Sequence, residues 1–240
     1  MPVFFPAFFF IYNTMKERLQ QIIQLITPDA AGLIDIGTDH GFVPVHMALR
    51  GFKGNIIATD LREEPLQKAK QYALGKGVLQ KIDFYLSDGL DGCNRQLFDT
   101  IVISGMGGDT ICSILDRAEW LMEPGYHLIL QPMTHSEVVR YWLVNNGYRI
   151  DHELLSADAD HYFQVISCRF GLNSILSDAE YLIGSSFGRR EDPLYQRLIA
   201  HQIRILNKKC TGISRSGRVR DSEMRFLCQI MSQLKELQIS

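Results

Sequence analysis

Five short clusters in this 240-residue chain have the residue types and spacing that chemistry on a charged, ring-bearing ligand needs. The first reads Asp35-Ile36-Gly37-Thr38-Asp39-His40-Gly41, and the second is Asp60 with the adjoining Leu61, 23 residues after Gly37. Asp88-Gly89, Ser104-Gly105-Met106-Gly107-Gly108 and Gln131-Pro132-Met133 are the other three. Each follows a short apolar run. Glycines at such places let a ligand approach the backbone, and carboxylates accept hydrogen bonds from hydroxyl and amino groups. An acid about 20 residues beyond a glycine turn is where nucleotide folds hold ribose hydroxyls.

Asp39 narrows the ligand. A phosphate-binding turn carries glycines at alternate positions. Gly37 and Gly41 fill the first and last of these, but Asp39 fills the middle one. A carboxylate there repels a pyrophosphate and suits a cofactor with positive charge, such as S-adenosylmethionine. The candidate cofactor-binding residues are Asp35, Gly37, Asp60, Leu61, Asp88, Gly89, Gly105, Met106 and Gly107. Asp39 and His40 are the candidate catalytic pair. Taken singly, a glycine after a strand is a turn, an aspartate is a helix cap, and His40 is a structural histidine. The coincidence of all these features at strand ends is what points to a site.

The elements that must position these residues follow from periodicity. Strand runs at Leu33–Ile36, Asn55–Thr59, Ile82–Leu86, Phe98–Ser104 and His127–Leu130 alternate with helical runs. Those helices are read at Pro44–Leu49, Glu63–Lys76, Asp109–Leu121 (capped by Asp109) and Ser136–Asn146, after an opening amphipathic helix over 15–27. Two further strands, Tyr148–Leu155 and Tyr162–Phe170, close the series, joined by the polar segment Ser156–His161. Alternation of this kind gives an α/β fold with a parallel sheet and helices on both faces. Ligands then bind outside the carboxyl ends of the strands. A terminal strand pair makes seven strands, the class I methyltransferase pattern, whereas a Rossmann dehydrogenase more often ends on a sixth parallel strand.

Beyond Phe170 the pattern becomes purely helical. Amphipathic runs cover Leu172–Ile183, Pro193–Cys210 and Arg218–Leu237, with a turn expected at Gly212–Gly217. The last two form an antiparallel, coiled-coil-like hairpin. Its tip holds Lys208, Lys209, Arg215, Arg218 and Arg220, and residues 171–240 carry 11 Lys and Arg against 7 Asp and Glu. The overall charge is −2, so an acidic body bears a basic tail that suits a polyanion. The domains are therefore read as 15–171 and 172–240. Val3–Tyr12 is an apolar run about half the length of a membrane span, and residues 1–14 are read as a loose extension. Five cysteines with no Cys-x-x-Cys pair imply reduced thiols inside a cell and no disulfide framework, and the scattered histidines form no zinc set. No metal and no membrane partner are expected.

Three segments carry a resemblance to a known family: Asp35–Gly41, Ser104–Gly108 and Leu128-Ile129-Leu130-Gln131-Pro132. They resemble the bacterial tRNA adenine-22 N1-methyltransferases, over about residues 15–240 and including the helical hairpin. The Gly-Met-Gly-Gly after the fourth strand is the specific part, because most amino-methylating enzymes have Asn/Asp-Pro-Pro-Tyr/Phe there. The chain departs from the family at Asp60, often Glu, and at Met133, often Asn. The resemblance implies a cytoplasmic enzyme with S-adenosylmethionine as donor and N1 of adenine 22 in tRNA as acceptor. On that reading the basic tip holds the tRNA backbone, and Phe42 or Tyr162 is available to stack on a flipped base, with core packing their default role. A methyltransferase for another RNA position or a small molecule is the alternative. A nicotinamide oxidoreductase is opposed by Asp39 and the terminal strand pair. A non-enzymatic scaffold for the hairpin is the remaining reading.

Overall fold

The structure is a computed structural model and describes residues 17–159, 161–171, 175–216 and 221–238. The expectation for residues 1–14 lies outside that range. Seven strands form one sheet: β1 (Gly32–Ile36), β2 (Asn55–Asp60), β3 (Asp83–Leu86), β4 (Thr100–Gly107), β5 (His127–Thr134), β6 (Tyr148–Asp158) and β7 (His161–Phe170). Their order is β3-β2-β1-β4-β5-β7-β6, with the first five parallel and β7 antiparallel to both β5 and β6. The expected α/β architecture, a Rossmann-like seven-stranded class I methyltransferase sheet, is the one observed. The strand order reverses between β1 and β4, which makes their carboxyl ends the place for a ligand.

The inner strands are apolar on both faces because helices cover both. Ile34, Ile36, Ile101, Ile103, Leu128 and Leu130 pack on one side with Ile111 and Leu115 of α4 (Gly108–Asp116) and Val139 and Leu143 of α5 (Ser136–Asn145). The intervening Leu33, Val102 and Ile129 face the other side. There they meet Ile22 and Ile23 of α1 (Glu17–Leu25) and Val43 and Val45 of α2 (Phe42–Leu49), with Ala73 of α3 (Glu63–Gly75) at the edge.

Several boundaries differ from the sequence reading. The strand β4 runs on through Gly107 and β5 through Thr134, pairing past the end of β1 by way of an irregularity at Gly105, whose φ is 79°. A bulge of this type bends and re-aims a strand. The helix α4 is shorter than expected and is followed by a 3₁₀ turn, Glu119–Met122. Asp109 is not its cap: Gly107 holds that position, and the Asp109 carboxylate accepts a hydrogen bond from His135 Nδ1 at 2.6 Å. The segment Ser156–His161 is not a polar connection but mostly strand, since β6 and β7 pair out to Asp158 and His161.

The helical part holds α6 (Asp178–Ile183), α7 (Pro193–Ser216) and α8 (Asp221–Leu237). Of the helix expected over 172–183, α6 keeps the last six residues, and Ser177 begins it with a full capping box to Glu180. No turn occurs at Gly212, which sits inside α7. The three helices share a core of Ala179, Ile183, Tyr195, Leu198, Ile199, Leu227, Ile230 and Leu234, joined by Leu155 of β6.

A buried ionic group ties this part to the sheet. Arg140 of α5 is fully buried; its Nε donates to Glu153 Oε1 at 2.7 Å and its Nη1 to the Tyr181 carbonyl at 3.0 Å. The Gln164 side-chain oxygen accepts from Arg140 as well. Glu153 also accepts from the Ser185 backbone at 2.6 Å. Elements of the sheet and of the helical part thus meet on one carboxylate–guanidinium pair.

Candidate active site

A cavity of about 1220 Å³ opens at the carboxyl ends of β1, β2 and β4, where the strand order reverses. Its wall includes Asp35, Gly37, Asp39 and His40, then Asp60 and Leu61, Asp88 and Gly89, and Gly105 and Met106. Four of the five sequence clusters therefore meet in one space, brought there by parallel strands in adjacent register. Gly107 is not in the wall and instead caps α4; the Gln131–Met133 cluster also stays outside it. Gln131 acts from behind, accepting a hydrogen bond from the Gly105 backbone N–H at 3.2 Å.

The turn after β1 is left-handed at alternate residues: Gly37 has φ 68°, Asp39 49° and Gly41 70°. Asp39 thus occupies a glycine's conformation. Aspartate tolerates this better than most residues, but it remains uncommon for a side chain. Thr38 N–H donates to the Thr59 carbonyl at 2.9 Å and anchors the turn to β2. Asp39 N–H donates to Asp60 Oδ2 at 3.3 Å, and Arg62 N–H donates to Asp60 Oδ1 at 3.0 Å. Each Asp60 oxygen keeps a lone pair for a further donor.

The Asp39 and His40 side chains are both more than half exposed to the cavity, and His40 Nδ1 donates to Asp39 Oδ2 at 2.7 Å. The other His40 nitrogen is the one left to face a ligand. The ring lies nearly parallel to Phe42, with centroids 5.6 Å apart and planes 16° apart. Phe42 in turn meets Tyr72 edge-on at 5.3 Å. Phe42 is 38% exposed and lines the cavity, whereas Tyr162 packs beside His201 against the helical core.

Asp35 is 3% exposed. Its Oδ2 accepts from the Thr38 hydroxyl at 2.7 Å. Burial pushes its carboxyl up to about 7; the Thr38 hydroxyl opposes the shift and the Asp60 carboxylate adds to it. A cation entering the cavity would favour the ionised carboxylate against the cost of burial. Asp88 differs from its sequence reading in having a partner: Arg117, just after α4, donates to both its oxygens, at 2.8 and 3.2 Å.

Of the basic residues expected to touch a substrate, Lys208 and Lys209 stand on α7 away from the cavity wall. Lys209 Nζ lies 3.6 Å from Glu223 of α8. The Arg215 side chain, Arg218 and Arg220 lie outside the described residues. The sequence reading missed Arg18, Tyr72, Lys76 and Arg117 in the cavity wall. All four lie on helices or just after one, where spacing alone reads as an ordinary solvated face.

A family model described as a methyltransferase domain matches residues 15–166, more than half of the chain. The chain belongs to the methyltransferase-domain family. Among curated relatives, this methyltransferase is 25% identical over 230 residues to a tRNA (adenine(22)-N(1))-methyltransferase of Bacillus subtilis, covering 93% of this chain and 96% of that one. Among solved structures, the B. subtilis m1A22 tRNA methyltransferase TrmK superposes with a TM-score of 0.83 at 24% identity, over 93% of this chain and 98% of that one. The M. capricolum TrmK, solved with S-adenosyl-homocysteine, gives 0.73 at 25% identity, over 93% and 96%. These matches span the helical part as well as the sheet.

Proposed function

We propose that this chain transfers a methyl group from S-adenosylmethionine to N1 of adenine 22 of tRNA. The observation that carries this is the near end-to-end match to a curated enzyme of that activity, helical part included, in a chain whose cavity gathers the four clusters. Residues 15–171 are on this reading the catalytic domain and 172–240 the RNA-holding part. The enzyme works in the cytoplasm with its substrate.

The cavity fits the donor. Asp35 is a buried carboxyl, and its hydrogen bond comes from the neutral Thr38 hydroxyl, so it is suited to a ligand's ammonium group. Asp60 retains acceptor capacity for a ribose diol. Leu61, 63% exposed at the wall, offers an apolar face to a purine. Gly37 has a φ of 68°, which side chains disfavour, and a Cβ there would push on the movable Met106 Cε at 2.1 Å, whereas Gly105 has nothing within 4 Å of that position. Asp88, Gly89, Met106 and Gly107 complete the proposed set, Asp88 through the lone pairs that Arg117 leaves and Gly107 by holding α4. When bound, S-adenosylmethionine supplies a methyl group on a sulfonium, open to attack by a lone pair.

The chain's own work is then to position and to neutralise. N1 of neutral adenine carries its lone pair already, so Asp39 and His40 need not remove a proton before attack. The methylated ring is cationic, and the Asp39 carboxylate stabilises that charge as it develops. His40, locked to Asp39 and stacked on Phe42, orients the pair and gives the base a ring to lie on. N1 lies on the pairing edge, so the nucleotide must leave its stack to reach the cavity. Lys208 and Lys209, with Arg215, Arg218 and Arg220, hold the phosphate backbone, a contact that gives affinity without reading sequence.

Calorimetry with S-adenosylmethionine and with NAD tests the donor. Binding of the first and not the second is expected, and NAD binding alone would return the site to the oxidoreductases. A gel shift with tRNA that weakens steeply with salt is expected for the acceptor.

A further inference from the structure

Arg18 reaches the cavity wall from α1, and no step above uses it. Its Nη1 donates to the Met133 thioether sulfur at 2.9 Å, a weak acceptor, and its guanidinium carbon lies 5.4 Å from the centroid of the Phe163 ring. Its Nε is buried with no hydrogen-bond partner among the described residues. Arg117 on the same wall is different, with its fork met by both oxygens of Asp88. A guanidinium held in place by an aromatic ring and a thioether, with no carboxylate of the described residues on its donors, is suited to an anion.

The sheet order says which anion. The acids proposed for the donor come from the ends of β1, β2 and β3, on one side of the reversal. Met133 belongs to β5 and Phe163 to β7, on the other side of it. At a strand spacing of ~4.8 Å, β5 and β7 stand roughly 10 and 14 Å from β1 along the sheet. The base itself is excluded as a partner, because its ring becomes cationic. We infer that Arg18 is a positioning residue that binds a phosphate flanking the acceptor nucleotide and so holds the flipped base at the methyl group. This rests on the RNA-methyltransferase reading of the cavity.

The test compares wild type, Arg18→Gln and Arg18→Lys on unmodified tRNA and on ligated tRNA with a neutral methylphosphonate at each phosphate flanking adenine 22 in turn. For Arg18→Gln, kcat/KM for tRNA is expected to fall about 10- to 100-fold, the loss of one charge-assisted contact. The slope of log KM against log salt is expected to drop by about one, and affinity for S-adenosylmethionine to stay within about twofold. Arg18→Lys recovers part of the activity. One methylphosphonate should harm the wild type and leave Arg18→Gln unaffected, a non-additivity that a merely structural role would not produce. Additive losses, an unchanged Arg18→Gln, or a loss confined to donor affinity (the donor's own carboxylate as the partner) would overturn the inference. Wild-type transfer to tRNA is the control: its absence removes the parent reading and this one together, whereas its presence beside an unchanged Arg18→Gln removes this one alone.

Discussion

Asp39 has a conformational cost and a chemical use that can be separated. Its φ of 49° favours glycine, so Asp39→Gly should keep or slightly raise stability while removing the carboxylate. Turnover should fall about 10²–10³-fold, the usual loss for one preorganised electrostatic group. Thermal melts beside initial rates check both halves, and a near-normal rate would end the role given to Asp39. Asp35 makes a prediction in pH. Its carboxyl lies at about 7 in the folded chain against an ordinary 3.8, so the native state holds the proton between those values. Its contribution to stability is therefore full below about pH 4 and is lost as pH rises through 7. Asp35→Asn, which cannot ionise, is expected to gain on wild type in denaturant midpoint over that window. A cationic ligand group pairs with the ionised form, so wild-type affinity for S-adenosylmethionine should rise from pH 6 to 8 and that of Asp35→Asn should stay flat. These carboxylates are legible in the sequence because each ends a short apolar run. Arg18 is not legible, because its contact with Met133 spans 115 residues and its helix reads as scaffold. Nor is the Arg117 partner of Asp88, which depends on where α4 ends.

At the scale of elements, the cavity depends on how closely β4–α4 approaches β5–α5. A Cβ at Gly108 would stand 2.3 Å from the His135 carbonyl oxygen, a backbone atom that cannot swing away. Gly108→Ala should cost about 1–3 kcal/mol, as overpacking does, and denaturant titration measures it. The Gly-Met-Gly-Gly segment is thus part bulge at Gly105, part wall at Met106 and part packing contact at Gly108. The sequence shows that this segment matters but does not divide those roles, since the extension of β4 depends on pairing with β5 out to Thr134. The strands themselves are legible from apolar runs, and their faces follow from alternation. Gly212 misleads because a glycine in an exposed helix costs about 1 kcal/mol, which α7 offsets through its packing on α8.

For the whole molecule, delivery of tRNA to the cavity requires the helical part to stand in a fixed relation to it. Arg140 and Glu153 are buried where the two meet. Arg140→Met leaves the buried Glu153 carboxylate with the weaker contacts of Arg189 Nη1 at 3.8 Å and the Ser185 N–H, and should cost about 3 kcal/mol, seen as a lower midpoint in urea. The acidic body and basic tail are legible in composition, whereas this buried pair is not, because only the fold brings residues 140, 153 and 181 together. The central claim is methylation of N1 of adenine 22, and the direct measurement is transfer of labelled methyl from S-adenosylmethionine to unmodified tRNA, followed by digestion and mapping of the nucleoside. N1-methyladenosine at position 22 is the expected product; methylation at N6 or at another nucleotide, or no transfer to tRNA at all, would refute the proposed function.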